Sequence, residues 1–179
     1  MEPFKSPKHI PVMPNEVLSL MNLNPKGKYV DGTCGLGGHS EMILSGLSEN
    51  GFLLGLDIDS EAIKICKENL NRLGSNFHIE KKSYAELSNV LKTRKIGQVD
   101  GVLLDLGLSS LQLDSQTRGF SFMETSYLDM RFDQDSNIDA AKLINRSSES
   151  EIADIIYYFG EERRSRSIAK KIFQNKPIN

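Results

Sequence analysis

The chain has 179 residues, enough to bury one substantial core. Its 39% hydrophobic and 26% charged residues suit a soluble globular protein, and a net charge of −2 carries no global nucleic-acid signature. No apolar run approaches the ~18 residues of a membrane span, Met1 to Lys8 lacks the apolar stretch of a secretory leader, and Cys34 and Cys66 show no paired spacing, so a reducing, cytoplasmic location is expected.

Pro14, near a first turn, predicts a short helix over Glu16 to Met21. Lys28 to Val30 is a short strand signal, followed by Asp31-Gly-Thr-Cys-Gly-Leu-Gly-Gly-His-Ser40 and a helical pattern from Ser40 to Leu47. Glycine serves where backbone turns with positive φ or approaches a ligand closely, so this strand, loop and helix suit a nucleotide-like cofactor. The next strand, Gly51 to Leu56, ends in Asp57, roughly 20 residues on, where an acid can hold ribose hydroxyls. Asp59 or Ser60 caps a helix with Ala62, Ile63, Cys66 and Leu70 on one stripe. Phe77 to Glu80 is a third strand, and Ser83-x-x-Glu86 is a capping-box pattern opening a helix to about Leu91.

Val99 to Leu106 contains Gly101-Val-Leu-Leu104, which reads as an interior parallel strand with Asp105 at its exit. Ligands of open α/β sheets bind just beyond such carboxyl ends. A carboxylate followed by Gly107, Ser109, Ser110, Gln112, Arg118, Phe120 and Phe122 suits a polar, planar substrate. The alternation predicts an α/β fold with a parallel, doubly wound sheet.

After Phe122 the strand signals stop. Ile138 to Ile144 reads as helical, and Ser148-x-x-Glu151 caps a helix with Ile152, Ile155, Ile156 and Phe159 on one face. Gly160 interrupts, and Glu161 to Phe173 reads as a basic helix. Residues 1–122 are thus expected to form a cofactor-binding domain, and 123–179 the start of a helical insertion. A sheet that ends by entering helices reads as unfinished, and the chain as truncated at its C-terminus.

A dinucleotide fingerprint starting at Gly35 needs Gly where Ser40 stands, and no Gly-x4-Gly-Lys-Ser/Thr run exists. Asp31-x-Thr-x-Gly-x-Gly instead resembles the first motif of S-adenosylmethionine-dependent methyltransferases, with Thr33 in place of the usual first Gly. That cofactor has no phosphate, and its ribose suits Asp57.

Taken in order, His9-Ile-Pro-Val-Met, the Asp31 to Ser40 loop, Asp57-x-Asp59, Asp105-Leu-Gly-x-Ser-Ser-x-Gln-Leu-Asp, Arg118-Gly-Phe-Ser-Phe, Leu128-Asp-Met-Arg131 and Tyr158-Phe-Gly-Glu-Glu162 cover nearly the whole chain. Together they resemble the small-subunit ribosomal RNA cytosine-N4 methyltransferases, the MraW/RsmH family. The resemblance implies a Rossmann-like class I methyltransferase sheet with a helical insertion, and small-subunit ribosomal RNA as partner. It also implies S-adenosylmethionine contacts at Gly37, Gly38, His39, Asp57, Tyr84, Asp105 and Gln112. Tyr84 stands where the family commonly has Phe; either ring could pack on adenine. The family's later Ser-Phe-His-Ser-Leu-Glu-Asp-Arg-like run is absent.

The implied reaction is in-line displacement of the sulfonium methyl by the exocyclic N4 of cytosine, with nitrogen and carbon held roughly 3–3.5 Å apart. A negative or hydrogen-bond-accepting group must face N4 as it gains positive charge. Asp105 could serve unless committed to the cofactor. DNA amino-methyltransferases place an Asp/Asn/Ser-Pro-Pro-aromatic run here, but this chain has Leu106-Gly107-Leu108, so Ser109 or a backbone carbonyl is the other candidate.

Carbon-5 methylation needs a cysteine nucleophile, and no Cys follows Cys66. Cys34 reads as a loop residue and Cys66 as helix core. His9 and His78 read as ordinary, with no metal-ligand cluster. Phe120 and Phe122 either stack a flipped base or pack in a core. Arg163, Arg164, Arg166, Lys170 and Lys171 either contact phosphates or form a solvated face beside Glu161 and Glu162. A non-catalytic RNA-binding or assembly factor keeping the fold is the alternative.

Overall fold

Four strands meet in one sheet in the computed structural model, which describes residues 11–123 and 125–178. His9 lies outside those residues. The strands are β1 (Lys28–Asp31), β2 (Phe52–Asp57), β3 (Phe77–Lys81) and β4 (Gly101–Leu103). Their order is β3-β2-β1-β4 and every pairing is parallel. In register, Val30 sits beside Leu54 on one side and Val102 on the other.

Parallel strands are covered on both faces, which is why Tyr29 and Val30 in β1 and Phe52 to Leu56 in β2 carry no charge. Helices α2 (Gly38–Ser45) and α3 (Ser60–Leu70) bring Ile43, Leu44, Ile63, Cys66 and Leu70 against Tyr29, Leu53 and Ile79. On the other face α4 (Leu87–Thr93) sets Val90 against Val30, Leu54 and Leu56. The doubly wound α/β arrangement expected from the sequence is the one observed. Helix α1 runs Pro14–Met21 and starts on its proline, two residues ahead of the expected Glu16.

Local signals place the helix starts. The Asp59 side chain, rather than Ser60, accepts from the N–H groups of Glu61 and Ala62 and caps α3. Ser83 accepts from Ala85 N–H, but the segment it opens is first a 3-10 turn, Tyr84–Glu86, and only then α4. Glu86 also pairs with Lys82 at 2.7 Å.

β4 departs from expectation. Among the described residues it pairs with β1 alone, so it is an edge strand here and not an interior one. Val102 is 46% exposed and Leu104 44%, and Leu106 and Leu108 continue the same exposed alternation. The apolar pattern is that of a strand covered on both faces, and the described residues supply cover on one side only.

The chain divides into two compact units, 1–111 and 112–179. The division falls ahead of the 122/123 boundary expected from the sequence, because Arg118 and Phe120 pack with residues further along the chain. Arg118 donates to the carbonyls of Arg131 and Phe132, and Phe120 packs edge-on against Phe132 with ring centroids 5.5 Å apart. Phe120 thus takes the packing role, whereas Phe122 is fully exposed.

Helix α5 (Ser110–Asp114) crosses the division, and α6 (Ala140–Arg146), α7 (Glu149–Tyr158) and α8 (Ser165–Gln174) come after it. Helix α6 starts after the Asp139 cap rather than at Ile138, and α8 starts at Ser165 after Glu161 turns with a positive φ of 51°. Ser148 and Glu151 form the full reciprocal capping box of α7. Ile152, Ala153 and Ala169 form this unit's core, with Ile144, Ile156 and Ile172 against it. The buried face of α7 is therefore 152, 153 and 156; Phe159, at 85% exposure, has left the stripe. No helix among the described residues is long and apolar enough to cross a membrane.

The sheet order makes a direct contrast. Leu54→Ala, at a fully buried position, should cost about 2–5 kcal/mol. Val102→Ala on the exposed edge should cost about 1 kcal/mol or less. Urea unfolding of both variants checks this, and equal costs would place β4 inside a covered sheet.

Candidate functional site

The strand order reverses direction at β1, with β2 on one side and β4 on the other, so the crevice between the β1 and β4 exits is the switch point where open α/β sheets take ligands. The loop from Asp31 to His39 and the segment from Leu104 to Ser109 meet there.

Asp31 ends β1 with its side chain only 1% exposed. It accepts from Ser40 Oγ at 2.6 Å and from Thr33 N–H at 3.3 Å, tying both ends of the glycine loop to one strand end. Burial raises its pKa from 3.8 to about 6, although the Ser40 and Thr33 hydrogen bonds pull the other way. Ser40, where a dinucleotide loop would need glycine, is fully buried by this contact.

Asp57 ends β2. Its Oδ2 accepts from Gly35 N–H at 2.7 Å, and its Oδ1 from the N–H groups of Ile58 and Asp59 at 2.8 and 2.9 Å. A carboxylate offers about four acceptor positions, so one remains open.

The glycines do different things. Gly37 has φ 94°, and a Cβ there would lie 3.0 Å from Cys66 Sγ. Both the turn and the contact with α3 exclude a side chain. A Cβ on Gly38 would meet Pro11 at 3.3 Å, which gives that glycine a packing reason of its own. Over Gly35 a Cβ would find nothing nearer than 3.9 Å, so open space lies above the loop.

His39, in the first turn of α2, is 7% exposed, and its Nε2 lies 3.8 Å from Asp105 Oδ2. The Asp105 side chain is 47% exposed. Its backbone N–H donates to Thr33 Oγ1 at 2.7 Å. Tyr84 is 45% exposed and packs its Cβ over Gly32, where an added Cβ would meet it at 3.2 Å. Ser109 comes next in the loop and is half-buried. The first unit thus holds Gly37, Gly38, His39, Asp57, Tyr84, Asp105 and Ser109. Gln112 is buried on α5 and belongs to the second.

Asp31, Thr33 and Ser40 also shape the site, although sequence reasoning assigns them no role in it. Their signal is an acid and two hydroxyls flanking a glycine run. Both cysteines are buried, and Cys66 together with burial holds the Cys34 thiol well above its usual pKa. Neither thiol is placed as a nucleophile. Among the described residues no group of His, Cys, Asp or Glu could hold a metal ion. Of the cations, Arg166 is paired with Asp154 at 2.7 Å. His78 lies on the surface near Glu80.

Asp31 makes stability pH-dependent in a defined direction. Its folded pKa is raised, so between 3.8 and about 6 the folded state binds more protons than the unfolded. Its contribution therefore falls as pH rises through that window, by about 3 kcal/mol in all. Asp31→Asn should remove this slope, and urea unfolding of both proteins across the window checks it. A constant difference between them would show that Asp31 is not buried as a charged group.

A model of the MraW methylase family matches residues 6–179. A ribosomal RNA small subunit methyltransferase H from Caldicellulosiruptor saccharolyticus is 47% identical over 174 residues, which is 96% of this chain and 56% of the relative. One from Mycoplasma mycoides subsp. mycoides is 44% identical over 172 residues, with the same two coverages of 96% and 56%. A crystal structure of a SAM dependent methyltransferase from Aquifex aeolicus is 24% identical, with a TM-score of 0.36, over 40% of this chain and 38% of that one. The chain spans little more than half the length of the curated relatives it matches. The chain belongs to the MraW methylase family.

Proposed function

We propose that the protein uses S-adenosylmethionine to methylate the exocyclic N4 of a cytidine in small-subunit ribosomal RNA, acting in the cytoplasm. The observation that carries this reading is the β1/β4 crevice, where the half-exposed Asp105 carboxylate stands against the glycine loop and 3.8 Å from His39. The names of the relatives support ribosomal RNA as the substrate.

The residues fit the donor. The space over Gly35 and the turn at Gly37 leave room for close backbone approach. Asp57 keeps an acceptor position for ribose, and the exposed Tyr84 ring can pack on adenine. Gly38, His39 and Asp105 are the further contacts we assign. When bound, the donor supplies an electrophilic methyl group on a sulfonium centre.

The chain's own task is to present N4. Asp105 accepts from N4–H and faces the positive charge that grows on nitrogen; where Asp105 is committed to the donor, Ser109 or a backbone carbonyl accepts instead. Carbon-5 chemistry is disfavoured because both cysteines are packed in the core. A non-catalytic assembly factor would keep the loop without needing the open carboxylate.

Two measurements test this. Calorimetry should show binding of S-adenosylmethionine and S-adenosylhomocysteine but not of NAD; the reverse would overturn the cofactor. Asp105→Ala, in the protein at its full natural length, should lower the single-turnover rate on small-subunit RNA about 100-fold or more if it faces N4. If it mainly holds the donor, affinity should fall and high donor concentration should restore part of the rate. Near-normal rate and affinity would remove Asp105 from the mechanism.

A further inference from the structure

The ladder between β1 and β4 is short. Tyr29, Val30 and Asp31 pair with Gly101, Val102 and Leu103. One more backbone bond continues it, from Gly32 N–H to Leu103 O at 2.9 Å. Beyond that point the β1 chain turns away into the glycine loop and offers no carbonyl to β4. The next bond is made by a side chain: Thr33 Oγ1 accepts the N–H of Asp105 at 2.7 Å.

We infer that Thr33 is the positioning residue for Asp105, its hydroxyl standing in for the missing backbone acceptor and fixing the carboxylate at the crevice. This rests on the functional reading above. Three observations carry it. The bond joins residues 72 apart in sequence, directly across the proposed site. Thr33 is itself held, since its N–H donates to the buried Asp31. The approach of the two exits is close: a Cβ on Gly32 would lie 2.5 Å from Leu104 Cδ2 and 3.5 Å from the Leu103 carbonyl oxygen.

The chain β1, Asp31, Thr33, Asp105 is therefore a continuous mechanical link. It runs from the buried end of a strand to a side chain 47% exposed on an edge. β4 has no neighbour on its other side among the described residues, so little else sets the direction of its exit. A glycine at 33, as in the usual methyltransferase loop, would give the turn but no acceptor. A valine would keep the shape and remove the hydrogen bond.

Thr33→Val and Thr33→Ser separate these roles. Amide hydrogen exchange on the chain should show protection at Asp105 falling at least about 5-fold in Thr33→Val, with protection at Val30 and Leu54 unchanged. Thr33→Ser should keep near wild-type protection. In the protein at its full natural length, Thr33→Val should lower the single-turnover methylation rate about 10-fold or more at saturating donor. Donor affinity should shift less than about 3-fold, and Thr33→Ser should recover most of the rate. Unchanged exchange at Asp105 in Thr33→Val overturns the inference, as does loss of exchange protection and rate in Thr33→Ser equal to that in Thr33→Val. If the wild-type protein transfers no methyl group, it is the functional reading that fails, and the exchange measurement still decides whether Thr33 holds Asp105.

Discussion

The carboxylate of Asp57 takes three backbone N–H groups, one from the glycine loop and two from the turn into α3. Each is a charge-assisted bond, about twice as strong as its neutral counterpart. Gly35 turns with a positive φ of 49°, and its N–H reaches Asp57 at 2.7 Å. With Asp57 in place, the loop leaving β1 and the helix entry after β2 become one rigid piece. This carboxylate, together with the Cys34 N–H donating to the Leu56 carbonyl at 3.0 Å, joins the glycine loop to the β2 exit above the paired strands.

Three aspartates end neighbouring strands at this edge, and their surroundings divide the work. Asp31 is sealed in, bonded to Ser40 and Thr33, and pushed up to about 6 by burial. Its role is architectural, since nothing from solvent reaches it. Asp57 is partly open and mostly committed to backbone. Asp105 is half-exposed, with a buried histidine behind it. The same side chain serves as staple at 31 and clamp at 57, and at 105 stands open to solvent, according to how much water and how many donors it meets.

Much of this is legible in sequence because it is local. Asp59 before a stripe of Ala62, Ile63, Cys66 and Leu70 specifies α3 and its cap almost unaided. The Ser148 and Glu151 box does the same for α7. The acids at 57 and 105 stand out because a charge closes an apolar run. The hidden part depends on which strands lie side by side. The Thr33 to Asp105 bond requires β4 to pair with β1, and periodicity cannot supply that order. β4 reads as interior because its apolar pattern describes the environment the strand suits, while pairing decides the environment it has in this chain. Phe159 fits the helical stripe of α7 in spacing, but the helix ends at Tyr158 and the last position leaves the face.

We propose that the loop from Gly32 to Gly38 and the exits of β2 and β4 form one donor site. Titrating S-adenosylhomocysteine into isotope-labelled protein and tracking backbone amide shifts tests it directly. Shifts should concentrate at Gly32 to His39, Asp57 to Asp59, Tyr84 and Asp105 to Ser109, with α7 and α8 nearly silent. Saturable binding with its shifts centred on α7 and α8, or no shifts at all, would rule out a donor site at this loop.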